Sequence, residues 1–247
     1  MRDESLPAAD PPPISGPVLL TQRWSEVVFV HWAVDPGAVA RLLPVGTRPD
    51  TLDGQAHVGM VAFGVPSTCV FRRVPVGAAY EVNVRVYCVD DEGRHSTAFL
   101  RMDVSRADMV VAARALAWLP YTWSRISPLN AAVAHPGPPP GSGYRCRPRL
   151  PRGAQVVDLV VAPGPAIEVP THLEQFVTAR WYLHQRHPLG TYRLPVAHPR
   201  WPLHRAEPVA IDDSLVRTVG LTPLEPTPAS VLWSPGVDAE FGPPHLC

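Results

Sequence analysis

The sequence predicts a mainly β (α+β) domain with a few short helices. Stretches rich in β-branched and aromatic residues recur between glycine and proline turns, whereas helical patterns are few and short. The regular alternation of strands and helices that builds a doubly wound parallel sheet is missing. Hydrophobic residues make up 46% of the 247 residues, which suffices for one large core in a chain of this length.

The predicted elements begin with the run WSEVVFVHWAV at 24–34, whose β-branched and aromatic residues favour a buried strand. Asp35 is typical of a helix N-cap and Pro36 of the first helical position, so a short helix should follow. Asp53-Gly54 then predicts a hairpin turn between two strand-like pieces.

A second hairpin is predicted where Glu92-Gly93 separates the strands YEVNVRVYCVDD and HSTAFLRMDVSR. Helical spacing follows at 107–118 and stops before a proline. Further along, Thr171 and Glu174 form a capping box that starts another helix. The remaining predicted strands are WYLHQ, TYRLPVAH, EPVAIDD and ASVLWSPGVDAEF, of which the first two are joined by a Pro-Leu-Gly turn.

Proline and glycine concentrate near both ends of the chain and once in the middle. We therefore expect a disordered N-terminal tail at 1–16, a single domain at 17–242 and a C-terminal tail at 243–247. The central stretch near 135–153 is expected to be a Pro/Gly-rich surface loop. A linker between two domains is the alternative, but neither flank shows a self-contained set of elements.

Charge and cysteine content limit the partners and the compartment. The 22 basic and 22 acidic residues balance, which gives no field to attract nucleic acid or an anionic membrane. The four cysteines lack Cys-x-x-Cys spacing, the start of the chain lacks a signal-peptide pattern, and the apolar run MVVAARALAWL is too short to cross a membrane. We expect a cytoplasmic protein, either a monomer or a homo-oligomer.

Six strings, in order along the chain, resemble the uncharacterised YqjF-like family of the acetoacetate decarboxylase-like superfamily. They are FVHWAVDPGAVARLLPVGTRPDTLDGQAHVGMVAF, YEVNVRVY, ARALAWLPYTW, FVTARWYLHQRHPLGTYRL, HPRWPLHRAE and SPGVDAEFG. The resemblance covers roughly residues 17–242 and implies a twisted, cone-like β-barrel or curved double sheet with an interior cavity. It implies little about activity, because a shared fold does not transfer chemistry.

The superfamily's best-known enzymes act through a lysine amine that condenses with a ketone. All 22 basic residues of this chain are arginine, so no side-chain amine is available for a Schiff base. The sequence also lacks a Gly-x-Ser-x-Gly elbow, a Walker loop and a Gly-x-Gly-x-x-Gly turn. We therefore expect no cofactor and little role for nucleophilic catalysis.

One face of the strand YEVNVRVY is purely polar. Because side chains alternate along a strand, Glu81, Asn83, Arg85 and Tyr87 share that face. It either meets solvent, as in many antiparallel sheets, or lines a barrel interior where it binds a ligand. The stripe lies in a family string, and its glutamate is similar in position to an active-site glutamate of the decarboxylases. In a cavity Glu81 would be the general acid or base, and Arg85 would hold a carboxylate.

Further ligand-binding candidates are aromatic or basic. His198 and Trp201 lie in HPRWPL, whose prolines predict a rigid bend that plugs or rims the barrel. Trp123, Arg180 and Tyr182 are added to the candidates. For all five, structural packing is the alternative to ligand contact.

Five of the ten histidines fall within 33 residues, namely His172, His184, His187, His198 and His204. Their spacing does not match a helical HExxH, and no carboxylate or cysteine follows at a ligand-like distance, so we expect no metal.

Three hypotheses remain. The first is a cavity protein that binds or transforms a small carbonyl or carboxylate metabolite by non-covalent acid-base chemistry. The second is a non-enzymatic small-ligand carrier or sensor, and the third is a histidine-dependent metalloenzyme.

Overall fold

A computed structural model describes residues 5–130, 141–149 and 155–247. The strands are β1 (Leu20–Val34), β2 (Thr47–Pro49), β3 (Ala56–Val70), β4 (Val74–Pro75), β5 (Ala79–Asp90), β6 (His95–Val104), β7 (Tyr121–Asn130), β8 (Ser142–Pro148), β9 (Val157–Ala166), β10 (Tyr182–His187), β11 (Gly190–Ala197), β12 (His204–Ile211), β13 (Ser230–Phe241) and β14 (His245–Leu246). The helices are α1 (Pro36–Ala40), α2 (Ala107–Ala117), α3 (His172–Thr178) and α4 (Ser214–Thr218). The protein is therefore mainly β, as the sequence predicts.

The sheet closes on itself twice. One ring runs β13-β1-β3-β5-β6-β7-β8-β9-β12 and returns to β13. A second ring uses β13, β1, β3, β5 and β6 again and returns through β10 and β11, because β6 meets β10 at Thr97 and β11 meets β13 at Val196 and Ala197. The shared strands therefore have one ring on each side.

The shared strands are buried on both faces, which explains their long apolar runs. Val28, Met60 and Val84 face the first ring, where they pack with residues of β8 and β9 such as Leu159. The opposite faces of the same strands line the second ring. The polar stripe of β5 therefore faces the second ring rather than solvent.

A bulge interrupts the pairing of β1 with β3. Its pairing with β3 shifts register between Arg23 and Val28, and Glu26 has φ 51°. Opposite the bulge Gly236 has φ 114°, and a Cβ there would lie 1.9 Å from the Trp24 carbonyl oxygen. Only glycine fits this position, because any Cβ would overlap a backbone atom of β1.

The predicted helix starts match the structure. The Asp35 carboxylate accepts a hydrogen bond from the Ala38 amide, and the Thr171–Glu174 capping box is complete. Within the described residues no helix has the length and apolar character that a membrane span requires.

The Asp53-Gly54 hairpin is only partly right. Both residues have positive φ and Leu52 pairs with Gln55, so the turn forms. However, Thr47–Pro49 pairs with β5 instead of β3. The turn signal is local, whereas the partner of a three-residue strand depends on the sheet around it.

The two expected tails make specific contacts. Residues 1–4 lie outside the described part, but the Trp181 indole donates to the Ala8 carbonyl and Gln175 to that of Pro7. At the other end, His245–Leu246 pairs with β11. Described segments of both tails are therefore attached to the second ring, because nearby side chains and a free strand edge bond their backbone.

The expected central loop also contains structure. Ser142–Pro148 is β8 and pairs with β7 and β9, while 135–140 and 150–153 fall outside the described residues. The pairing on both sides accounts for a strand in a proline-rich stretch. The single-domain boundary at 17–242 stays a prediction.

Candidate functional site

A cavity of about 250 Å³ lies inside the second ring, against the polar face of β5. Its polar lining includes Glu81, Asn83, Arg85, Thr97, Thr178, Arg180, Tyr182 and His198. Its apolar lining includes Trp24, Phe63, Phe99, Met102, Leu119, Leu183, Leu194, Val196, Trp201 and Phe241. A few polar groups in a largely apolar enclosure are typical of a small-molecule site.

Glu81 is fully enclosed at this cavity. Its side chain accepts a hydrogen bond from the Tyr121 hydroxyl at 3.0 Å and a weak one from the Asn83 amide at 3.5 Å. Burial disfavours the charged form and raises the pKa of Glu81 to about 7, although both hydrogen bonds act in the opposite direction. The carboxyl group is therefore able to hold or release a proton near neutral pH.

Arg85 does not pair with Glu81. Its Nε donates to the Tyr87 hydroxyl at 3.2 Å and its Nη2 to the Val177 carbonyl at 3.0 Å. Both acceptors are neutral oxygens, so neither neutralises the positive charge. The half-buried guanidinium is fixed in direction and lines the cavity, where it suits an anionic ligand group.

Tyr87 lies behind the cavity wall rather than in it. Its hydroxyl donates to the Val177 carbonyl at 3.0 Å and lies 2.7 Å from Nε2 of His31. Burial and the nearby Arg85 charge lower the pKa of His31 well below its usual value. The predicted ligand-binding residue Tyr87 therefore positions Arg85 and is not among the lining residues.

Arg180 supplies a second guanidinium to the wall. Its Nη1 pairs with Asp50, and its Nε donates to the Phe176 carbonyl at 2.7 Å. Its Cζ lies 4.6 Å from the centroid of the Tyr87 ring. Within the described residues its Nη2 is buried without a hydrogen-bond partner. Such a donor at a cavity is available to a ligand oxygen.

An aromatic wall closes the cavity opposite these charges. Trp201 stacks on Trp24 with ring centroids 5.8 Å apart, and His198 lies 4.7 Å from Trp201. His198 Nδ1 lies 2.7 Å from the Pro199 carbonyl, and burial lowers the pKa of His198 to about 4. The imidazole is therefore neutral at pH 7, and its Nδ1 proton is held by the backbone. Tyr182 completes this side of the lining.

Two aromatic residues of β7 differ from the expectation. Trp123 is not among the lining residues; it is 43% exposed, and the Arg149 guanidinium lies 4.1 Å from its ring centroid. Tyr121, two residues earlier, lies in the cavity instead. The aromatic cluster after α2 signals both residues, but alternation alone does not tell which of them reaches the enclosed end of the strand.

The histidine-rich segment is spread over several elements. His172 begins α3, His184 and His187 lie on β10, His204 begins β12, and His198 lies at the cavity. Across the described ranges, no three histidine, cysteine, aspartate or glutamate side chains form a group that could hold a metal ion.

The cavity thus combines one carboxyl group that titrates near neutral pH with two fixed guanidinium groups. Glu81 and Arg85 lie four positions apart on one face of β5, and both side chains line this cavity. The arrangement is suited to binding an anion and to moving a proton.

Comparison with known sequences gives one family and one relative. The family model DUF2071, described as an uncharacterized conserved protein, matches residues 21–238. The uncharacterized protein YqjF of Bacillus subtilis is 32% identical over 110 residues, which are 43% of this chain and 45% of that protein. The matched part thus spans less than half the length of this relative.

Comparison with solved structures gives the fold. The enduracididine biosynthesis enzyme MppR with pyruvate bound has a TM-score of 0.62 at 17% identity, over 94% of this chain and 91% of that chain. An acetoacetate decarboxylase from Legionella pneumophila has a TM-score of 0.61 at 11% identity, over 98% and 90%. At these identities the likeness concerns the fold alone, and it confirms the predicted architecture.

Proposed function

Because the chain belongs to the DUF2071 family of uncharacterized conserved proteins and has the acetoacetate decarboxylase-like fold, we propose that it binds a small carbonyl or carboxylate metabolite and acts on it by non-covalent acid-base chemistry. The observation that carries the proposal is one cavity lined by a carboxyl group whose pKa is raised to about 7 and by the Arg85 guanidinium, which is bonded to neutral oxygens.

The proposed roles follow from the partners of each residue. Arg85 holds the ligand carboxylate, since its geometry is fixed by Tyr87 and Val177 while its charge is not neutralised by them. Glu81 donates a proton to the ligand carbonyl or removes one from the adjacent carbon. Arg180 offers its buried Nη2 to a second ligand oxygen.

The relatives support the class of ligand. The fold neighbour MppR is described as a complex with pyruvate, and others are acetoacetate decarboxylases. Both names point to oxo acids, which carry the carbonyl and carboxylate groups that this cavity would recognise. A Schiff base to a lysine side chain has no place in the proposed chemistry, because this chain has no lysine.

The first experiment measures binding. Isothermal titration calorimetry with 2-oxobutanoate at pH 6 should show saturable binding that Arg85→Met weakens by about 10- to 100-fold, the loss expected for a charge-assisted hydrogen bond. Arg125→Met, at an exposed arginine outside the cavity, is the matched control and should leave the Kd unchanged. Equal effects of both variants would remove Arg85 from the site.

The second experiment measures proton transfer. Proton NMR in D₂O should show exchange at C3 of 2-oxobutanoate that Glu81→Gln abolishes while the fold is retained. Binding without exchange would overturn the acid-base role and favour a carrier or sensor.

The third experiment tests for amine catalysis. Borohydride added with a 2-oxo acid should leave no reduced adduct on any side chain, because a Schiff base requires a lysine amine. A stable adduct mapped to a side chain would contradict the proposed non-covalent chemistry; the N-terminal amine is the one position where an adduct would carry no weight.

The compartment is proposed from the thiols. Cys69, Cys88, Cys146 and Cys247 are all free, and burial raises the pKa of both Cys88 and Cys146 to about 12. Thiols stay reduced in a reducing compartment, and we therefore propose that the protein is cytoplasmic.

A further inference from the structure

We propose that the ligand of this cavity carries an apolar tail, which leaves the enclosed space past Leu119 and lies in an apolar groove on the surface. The inference rests on the proposed function and names its substrate class: straight-chain oxo acids of medium length rather than two- to four-carbon acids.

The groove is the second apolar concavity beside the second ring. It has a volume of about 460 Å³ and is built from the end of α2, the β10–β11 hairpin and the C-terminal strand. Its lining consists of Leu116, Ala117, Leu119, His187, Leu189, Tyr192, Leu194, Pro244 and Leu246. Three of these leucines are strongly exposed: Leu116 at 85%, Leu189 at 75% and Leu246 at 59%. A single exposed leucine is ordinary, but a cluster around a concavity marks a binding surface.

The groove and the cavity adjoin each other. Ala117, Leu119 and Leu194 line both of them. The contact is held in place because the Tyr192 hydroxyl donates to the Ala117 carbonyl at 2.5 Å, which ties β11 to the end of α2. α2 ends there with Trp118 in the left-handed conformation at φ 50°. The wall that the two spaces share is therefore a fixed part of the fold.

The charged side chains line only the cavity, and the exposed leucines line only the groove. Tyr121 lines the cavity and bonds Glu81 there, and Leu119, two residues earlier, lines both the cavity and the groove. The guanidinium groups lie on the inner side and the exposed leucines on the outer side. A ligand that places a carboxylate on Arg85 thus points its other end towards the leucines.

The size of the cavity supports the same conclusion. Its volume of about 250 Å³ is below the roughly 300–1,000 Å³ of typical ligand pockets. An oxo acid whose chain outgrows this volume extends into the groove.

The test compares ligands of one chemistry and rising length. Titration calorimetry at pH 6 uses 2-oxobutanoate, 2-oxohexanoate and 2-oxooctanoate. The Kd should fall by up to about fourfold for each added methylene that reaches the groove, which is the effect of burying one methylene.

The double variant Leu116→Ser/Leu189→Ser changes only exposed side chains, and it should reduce the ratio of the short-acid Kd to the long-acid Kd. Val169→Ser is the matched control, at a valine that is 81% exposed and lines neither space; it should keep the wild-type ratio.

The outcomes separate the two proposals. If no oxo acid binds at any length, the proposed function itself fails. If 2-oxobutanoate binds but affinity does not rise with length, the tail inference fails while the proposed function stands. Length-independent affinity combined with a dimer that Leu116→Ser/Leu189→Ser dissociates, measured by sedimentation equilibrium, would assign the groove to a contact between two copies of the chain.

Discussion

Replacing Glu81 with glutamine should change the pH dependence of stability. The unfolded carboxyl group loses its proton near 4.5, whereas the folded group keeps it until about 7. Between these values the folded state binds more protons, so the wild-type protein loses stability as the pH rises. One pKa unit corresponds to about 1.36 kcal/mol. The free energy of unfolding of the wild type should therefore fall by about 2–3 kcal/mol from pH 5 to pH 8 because of this group. Glutamine does not titrate, and its variant should not show this loss.

The assay is urea denaturation of both proteins at pH 5, 6, 7 and 8, with the free energy of unfolding compared at each pH. The free energy of Glu81→Gln minus that of the wild type should rise by about 2–3 kcal/mol from pH 5 to pH 8. Glu207→Gln, at an exposed carboxylate, is the control, and its difference from wild type should stay constant. A constant difference for Glu81→Gln as well would show that water reaches this carboxyl group and would refute the burial argument.

Four other perturbations test single features of the structure. Tyr121→Phe removes the 3.0 Å hydrogen bond to Glu81; it should cost about 1–2 kcal/mol in urea melts and move the pH transition upward, because that bond lowers the pKa. Asp50→Asn leaves the buried Arg180 charge without its carboxylate and should cost about 3–5 kcal/mol in the same assay. Gly236→Ala places a methyl group against a backbone carbonyl at φ 114° and should cost about 3 kcal/mol or yield little folded protein. Dialysis against a chelator should leave the Tm unchanged; a fall together with release of one metal equivalent would support the metalloenzyme hypothesis.

The fold was predictable where local signals and burial agree. The two-residue period of β5 correctly placed Glu81, Asn83 and Arg85 on one face, and the capping box at Thr171 correctly started α3. Strands β7 and β8 had no comparable signal, since TWSRISPLN and SGYRCRP are poor in alternating apolar residues. They are strands because both neighbours supply hydrogen-bond partners, and that information is not local.

The sequence predicted which residues of β5 line the site better than it predicted their hydrogen-bond partners. The strand pattern places Glu81 and Arg85 on one face, and in the structure Arg85 bonds the Val177 carbonyl of α3 and the Tyr87 hydroxyl. Glu81 is bonded instead by Tyr121, which is 40 residues away in sequence. A one-dimensional pattern gives the face of a strand, but the elements that close over that face decide which groups meet.

The separation of Glu81 from Arg85 matters for the chemistry. An ion pair between them would stabilise the carboxylate and hold its pKa low, so that the group could not donate a proton at neutral pH. Because the guanidinium bonds to neutral oxygens instead, burial dominates at Glu81 and raises its pKa to about 7. The same arrangement leaves the charge of Arg85 without an acidic partner among these contacts, as the proposed anion binding requires. In a chain without lysine, the protonated form of a buried carboxylic acid can still polarise a carbonyl group by donating a hydrogen bond, and such a step needs no covalent intermediate.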